Sequence, residues 1–441
     1  LAALALAALA PVLVVVALTT PTAARGGAPT TPLVRASVDS RERQADALSL
    51  EPSLSGNGRF VAFHSGATNL VPGDTNGYGE IFVRDLLAGR TVRASIADDE
   101  SQGNRFSLTQ DISDSGRFVA FGSSASNLVA GDTNNLPDTF VRDLATGHTT
   151  RVSVSSNGTQ GREGGSSAPS LSGSGRVVAF YSIASNLVRG DTNEVADVFV
   201  HDRWSRRTTR VSVDSAGAQA DGQSAIYSGP ALDRAGRLVA FESEATNLVP
   251  GDTNAWQDVF VHDRSTGRTQ RVSLSSRGVQ GDGESYWPSI SADGRFVAFA
   301  SKASNLVRGD TNGVWDIFVR DLIAGVTSRV SLSGSGVQGN ADSFSPSLSA
   351  TGRYVAFWSY ADSLTPGDSN RVADVFVHDR ATGRTRLVST GVGPGDGDSI
   401  LPAISDDGHV VAFESAATTL VPGDTNDVPD VFVSGWVSGD R

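Results

Sequence analysis

Seven sets of oxygen-bearing residues stand at one fixed spacing, an Asp, an Asn two positions later and an acid four after that. They are Asp74/Asn76/Glu80, Asp132/Asn134/Asp138, Asp191/Asn193/Asp197, Asp252/Asn254/Asp258, Asp310/Asn312/Asp316, Asp368/Asn370/Asp374 and Asp424/Asn426/Asp430. Alternating oxygen ligands closed by a later carboxylate are a chemistry that Ca²⁺ uses. The same residues also make Asx turns, in which a side chain accepts hydrogen bonds from its own loop. Recurrence in every unit fits the turn reading, since a single functional site does not need seven copies. Ca²⁺ is the one cofactor the loops could take, and nothing else in the chain requires one.

A second group is uneven along the chain. Trp256, Trp315, Tyr286, Trp287, Trp358 and Tyr360 fall near the same long loops, with Phe344 beside them, but in only part of the chain. An aromatic platform rimmed by Asp and Asn can stack sugar rings or dock a peptide; packing beneath the loops is the alternative. Six repeated arginines, Arg59, Arg117, Arg176, Arg237, Arg295 and Arg353, are each followed by an Asp (Asp85, Asp143, Asp202, Asp263, Asp321, Asp379) as ion-pair partner. His201, His262 and His378 occupy positions that hold Arg elsewhere (Arg84, Arg142, Arg320), so they are expected to be solvated or Asp-paired. No Gly-x-Ser-x-Gly elbow, zinc spacing or phosphate loop is present.

These residues ride on a repeat. The last Phe of Gly-Arg-x-Val-Ala-Phe falls at Phe63, Phe121, Phe180, Phe241, Phe299, Phe357 and Phe413, spaced 58, 59, 61, 58, 58 and 56. The Asp of Gly-Asp-Thr/Ser-Asn keeps the same spacings. Each unit contains four short strands: Pro-Ser-Leu/Ile-Ser, Arg-Phe-Val-Ala-Phe, Asp-Val-Phe-Val and Thr-Gln-Arg-Val-Ser-Leu, the first two joined by a Gly turn such as Asp293-Gly294. The middle strands are apolar throughout, which suits a sheet covered on both faces. Face-to-face stacking of such sheets around an axis is an all-β, seven-bladed β-propeller with four-stranded blades. Unit seven stops after Val431-Phe432-Val433. Leu33 to Val38 parallels the fourth strand of unit one, so the N-terminal strand is expected to complete the last blade and close the ring.

The run Ser291 to Ser301, Ser-x-Asp-Gly-Arg-x-Val-Ala-Phe-x-Ser, followed by Val-Phe-Val-x-Asp, resembles the repeat of TolB-type, WD-repeat-like bacterial propellers. The resemblance covers nearly all of 33–436, with seven units where TolB has six and a longer loop between second and third strands. It implies a propeller that binds; the same repeat also accompanies peptidases and sugar-acid lyases.

Composition narrows the class. A net charge of -12 argues against nucleic acid and anionic membranes, and the absence of Cys excludes disulfides. Residues Leu1 to Leu18 are apolar, broken by Pro11, and Thr22, Ala23, Ala24 and Arg25 follow. That order is an export signal over 1–25 with its initiator Met missing; the alternative is a retained anchor. A linker (26–32), the propeller (33–436) and a tail (437–441) complete the organisation. The expectation is a secreted or extracytoplasmic monomer, a non-catalytic scaffold holding protein or cell-surface polysaccharide on its long-loop face. Two alternatives stand beside it: a carbohydrate-active lyase or hydrolase with an axial site, and a Ca²⁺-dependent structural or adhesive protein.

Overall fold

A computed structural model describes residues 33–391 and 395–435. The expected signal, linker and tail lie outside the described residues. The rest forms seven antiparallel four-stranded sheets, and no helix occurs among the described residues. Blade one has Ser49–Leu54, Phe60–Ser65, Glu80–Asp85 and Arg90–Arg93, running outward from the axis in chain order, and the later blades repeat it.

The second and third strands are buried along almost their whole length, as their unbroken apolar sequences require. Within each blade their two Phe rings stack, as Phe241 and Phe260 do at 6.0 Å. The core lies between blades. One cluster joins Val198 and Val200 of blade three to Val239 and Phe241 of blade four, and another joins Val431 and Val433 of blade seven to Val61 and Phe63 of blade one. No blade can therefore bury its two faces alone.

The ring closes as expected. Leu33–Arg35 pairs antiparallel with Asp430–Ser434 in the seventh sheet, in the register Leu33 to Ser434, Val34 to Val433 and Arg35 to Phe432. Just beyond the strand, Ser37 Oγ donates to Asp430 Oδ1 at 2.5 Å and accepts from the Val431 N–H at 3.1 Å. Arg35 bridges Asp424 and Asp430 at 3.0 and 3.1 Å, with all three side chains at least nine-tenths buried.

The repeated Arg/Asp pairs form inside single blades. Arg59 holds Asp85 with two bonds of 2.9 and 2.6 Å, tying the start of the second strand to the end of the third. The Asp also accepts from two turn N–H groups, those of Leu87 and Ala88 in blade one.

Burial separates the two kinds of ion pair. Arg35→Ala strands two buried carboxylates at the closing seam and is expected to cost about 3–5 kcal/mol. Arg353→Ala removes a half-exposed, solvent-screened partner of Asp379 and is expected to cost far less. Urea denaturation of both variants measures the difference; equal losses would contradict the closing role of Arg35.

Candidate functional site: the axial pocket

The first strand of each blade lines the axis. At one equivalent position the backbone turns left-handed in all seven: Glu51 (φ 53°), Thr109 (46°), Ala168 (49°), Gly229 (73°), Trp287 (52°), Ser345 (46°) and Leu401 (50°). In all but blade four the ladder to the second strand shifts register there. Such a bulge re-aims a side chain, and a left-handed non-glycine residue costs on the order of 1–3 kcal/mol. The seven positions share one space of about 470 Å³, together with Tyr181, Ile226 and Tyr227. The backbone is sevenfold there, and the side chains are all different.

The axis is fastened at two levels below that position. A belt of side chain to backbone bonds links successive first strands: Ile112 N–H to Ser53 Oγ, Leu171 N–H to Asp111 Oδ2, Leu232 N–H to Ser170 Oγ, Leu348 N–H to Ser289 Oγ and Ile404 N–H to Ser347 Oγ. It breaks where Ala231 and Ala403 replace the Ser. Burial pushes the Asp111 carboxyl up to about 6 against the pull of these bonds. At the turn between first and second strands, Arg234 joins Asp114 (2.8 Å) and Asp406, which come from blades two and seven. This three-residue plug spans the turn end of the axis. The pocket opens at the other end, where the first strands begin and the long loops lie.

Blade four departs from the repeat. Ser224 to Leu232 takes nine residues where Ser285 to Ile290 takes six, and the insertion carries Ile226 and Tyr227 into the pocket. Buried Glu242 holds it, accepting from the N–H groups of Tyr227 (3.0 Å) and Ser228 (3.1 Å) and from the Ser228 hydroxyl. Tyr227 then meets the edge of Tyr286 at 5.2 Å. From there rings follow one another across blades four, five and six: Tyr286 to Trp287 (5.5 Å), Trp287 to Phe344 (5.4 Å), Phe344 to Trp358 (4.8 Å) and Trp358 to Tyr360 (5.5 Å), with Trp315 in the middle at 5.6 Å from Tyr286. Five of the six aromatics singled out from sequence thus converge. Trp256 has no ring contact of this kind. The middle rings are half-buried, while Tyr227 and Tyr360 at the two ends are 54% and 46% exposed.

Two acids, Glu51 and Glu414, stand across the axis from the rings. Glu51 reaches the pocket, and its N–H donates to Glu414 Oε2 of blade seven at 2.6 Å. Burial and the neighbouring Glu51 charge push Glu414 up to about 7, and burial also raises Glu51. Glu51 is open to pocket water, and the protein packed around its carboxyl is what raises it. Neither acid was visible as a site residue in the sequence. Their signal was the departure from the repeat: Glu414 stands where other blades hold His64, Gly122, Tyr181, Glu242, Ala300 and Trp358.

The seven Asp/Asn/acid sets lie in the loops, away from the axis, and most of their polar groups meet protein partners; the Asn193 and Asn312 oxygens do not. In six of them a fourth-strand arginine bridges the two acids at 2.6–3.2 Å. Arg93 holds Asp74 and Glu80, Arg151 holds Asp132 and Asp138, and Arg210 holds Asp191 and Asp197. Arg271 holds Asp252 and Asp258, Arg329 holds Asp310 and Asp316, and Arg35 holds Asp424 and Asp430.

The Asn of every set donates through Nδ2 to the later acid and to a carbonyl of the following loop. Asn76 donates to Glu80 and Gly103, Asn134 to Asp138 and Gly161, and Asn193 to Asp197 and Ala220. Asn254 donates to Asp258 and Gly281, and Asn312 to Asp316 and Gly339. Asn370 donates to Asp374 and Gly395, and Asn426 to Asp430 and Ala45. In five sets the Asn oxygen accepts from the N–H two residues on, as Asn76 does from Tyr78, Asn134 from Leu136, Asn254 from Trp256, Asn370 from Val372 and Asn426 from Val428. That is the Asx turn.

The geometry of these sets favours the turn reading over the Ca²⁺ alternative. Asn76, Asn134, Asn193, Asn254, Asn312, Asn370 and Asn426 turn an N–H donor, not an oxygen, toward the acid. A cation at six of the sets would also have to displace a guanidinium, as at Asp132 and Asp138. Among the described residues no group of three or more His, Asp or Glu converges as metal ligands. Blade six departs: Leu387 replaces the Arg, and burial together with the Asp374 charge lifts Asp368 to about 6. The arginine was legible in the repeat Arg-Val-Ser, in step with the sets.

The histidines need correction. His201, His262 and His378 are buried, not solvated, and each Nδ1 meets a Thr hydroxyl at 2.9 Å (Thr208, Thr269, Thr385). Burial lowers all three, His201 and His378 to about 4, so they are neutral at pH 7. Arg84, Arg142 and Arg320 bond the equivalent Thr in other blades. The position selects for a donor to that hydroxyl, not for charge.

Fold and site together define a closed seven-bladed propeller with an asymmetric axial pocket. No family model and no curated protein matches the chain. Among solved structures it is similar to an oligogalacturonate lyase in complex with manganese (12% identity, 93% of this chain and 94% of that one, TM-score 0.56). The oligogalacturonate lyase of Vibrio parahaemolyticus is similar at 13% identity (95% and 100%, TM-score 0.54). TolB from Acinetobacter baumannii matches at 16% identity with a TM-score of 0.40, over 70% of this chain and 59% of that one. At these identities the likeness is one of fold.

The blade-six carboxylates give a pH test. Because the folded pKa of Asp368 lies above its unfolded value, its protonated form favours folding, and stability is lost as pH rises from about 4 through about 6. Leu387→Arg supplies the cation found in six other blades. Its gain in thermal midpoint over the wild type is expected to be larger at about pH 7 than at about pH 4. A gain independent of pH would reject the account.

Proposed function

We propose that this chain is an extracytoplasmic, non-catalytic binding scaffold that holds a polysaccharide in the axial pocket and along the aromatic ridge of blades four to six. The observation that carries the reading is the occupancy of the axial positions: one strained backbone position, repeated seven times, bears Glu, Thr, Ala, Gly, Trp, Ser and Leu. A purely structural demand repeated seven times would be met alike. A concave, aromatic-walled pocket suits the faces of sugar rings better than a flat protein patch does. The apolar run from Leu1 to Leu18 supports placement outside the cytoplasm. No helix among the described residues is long and apolar enough to cross a membrane.

A glycan array followed by calorimetric titration tests the reading. Trp287→Ala and Tyr227→Ala are each expected to weaken binding about tenfold, the value of one lost ring contact. Trp256→Ala, outside the ridge, is expected to leave it unchanged. Binding indifferent to all three substitutions sinks the aromatic ridge.

A lyase or hydrolase at the same pocket is the second reading, favoured by Glu51, a carboxyl that reaches the pocket and is raised by burial, with Glu414 behind it. It predicts release of new chain ends from a bound glycan, abolished by Glu51→Gln; intact glycan after long incubation rejects it.

A further inference from the structure

The pocket wall formed by blades one and two, backed by blade seven, presents acceptors whose nearby donors are already spent. Gln110 Nε2 donates to the Glu51 carbonyl, which fixes the amide orientation and leaves Gln110 Oε1 buried with no hydrogen-bond partner. The Glu51 N–H is taken by Glu414, and the Thr109 N–H serves the Glu51 carboxylate. Thr109 Oγ1 is engaged with Ser167 Oγ at 3.2 Å. Among the described residues no cation offsets either glutamate, and no Lys, Arg or His lines the pocket. Glu414, only 8% exposed, sits behind Glu51 and adds a second acidic group.

A pocket carboxylate without a cation calls for a positive partner. An ammonium group answers it, since it has three donors, one positive charge and no acceptor, and Gln110 borders the same corner. Across the pocket, Trp287 and Tyr227 offer ring surfaces that attract a cation. A sugar carboxylate would meet two glutamates and no base. An N-acetyl group would bring no charge and one N–H.

We infer that this corner, built by Glu51 and Gln110 with Glu414 behind them, binds the protonated amine of an amino-sugar unit. The inference rests on the polysaccharide reading above and narrows its ligand to a glycan with free amines.

Calorimetric titration with three oligomers of equal length tests it: β-linked glucosamine, its fully N-acetylated form, and galacturonate. Slightly acidic buffer keeps the sugar amine protonated. The glucosamine oligomer is expected to bind about tenfold tighter than the acetylated one, and galacturonate not at all. Glu51→Gln keeps the shape and is expected to abolish the preference. Thermal melts of the variant report its folding. Equal binding of the first two oligomers, or a preference that survives Glu51→Gln, overturns the inference and leaves the polysaccharide reading standing. Binding of none of the three overturns the inference, and an array without any glycan ligand overturns the broader reading as well. A lysine-rich peptide bound where no oligomer binds rejects the amino-sugar assignment in favour of a protein partner.

Discussion

Each sheet of this protein is apolar on both faces, and that constraint governs everything else in the fold. A four-stranded blade with Val, Ala and Phe on both sides of its middle strands is soluble only between two neighbours. Seven blades arranged in a line would leave two such faces in water. The ring must close, and it does so with a strand of three residues from the other end of the chain. Ser37 and Asp430 of the closing seam lie 393 positions apart in sequence and 2.5 Å apart in space. Arg35, buried between Asp424 and Asp430, fastens the same seam with charge.

A closed ring of this kind is a rigid frame, and rigidity is what allows strain on its axis. Six non-glycine residues are held left-handed there because the flanking ladders and the inter-blade belt leave the chain no room to relax. The loops are tied down by a parallel device. In six blades an Arg bridges two carboxylates, one of which an Asn also holds, so much of the acidic composition is used internally and is not simply displayed. With frame and loops secured by repetition, differences between blades become free to serve recognition. Tyr227 on its insertion, Trp287, Glu51 and Glu414 are all such differences, and they meet at one pocket.

Much of the architecture was legible in the residues because a propeller is built from local repetition. Strand order, blade number and closure follow from periodic landmarks and from an unfinished last unit. The ion pairs of Arg59 with Asp85 and its repeats were legible for the same reason. The candidate site was legible only in part. Tyr286, Trp287, Trp315, Trp358 and Tyr360 stand near one another in the repeat, and they do converge. Trp256 lies in the equivalent loop but aligns with Val314, one position before Trp315, and does not share their neighbours. The acid sets and the strand-four arginine are plain in the sequence, but which way each Asn amide turns, and that the arginine lies between the two acids, emerged only with the fold. Burial of His201, His262 and His378 could not be read from their alternation with Arg, because a Thr hydroxyl accepts from either side chain.

The amino-acid sequence by itself determined the blade, its sevenfold recurrence and the means of closing the ring, since these depend on hydrophobic period and turn chemistry within about 60 residues of chain. Tertiary structure alone decided which residues face one another across the axis. Glu51, Gln110, Tyr227, Trp287 and Glu414 are scattered over 364 positions, from 51 to 414. No local rule relates residues so far apart. Their meeting depends on the angle through which each blade is turned from the last, and that angle is set by the packing between blades.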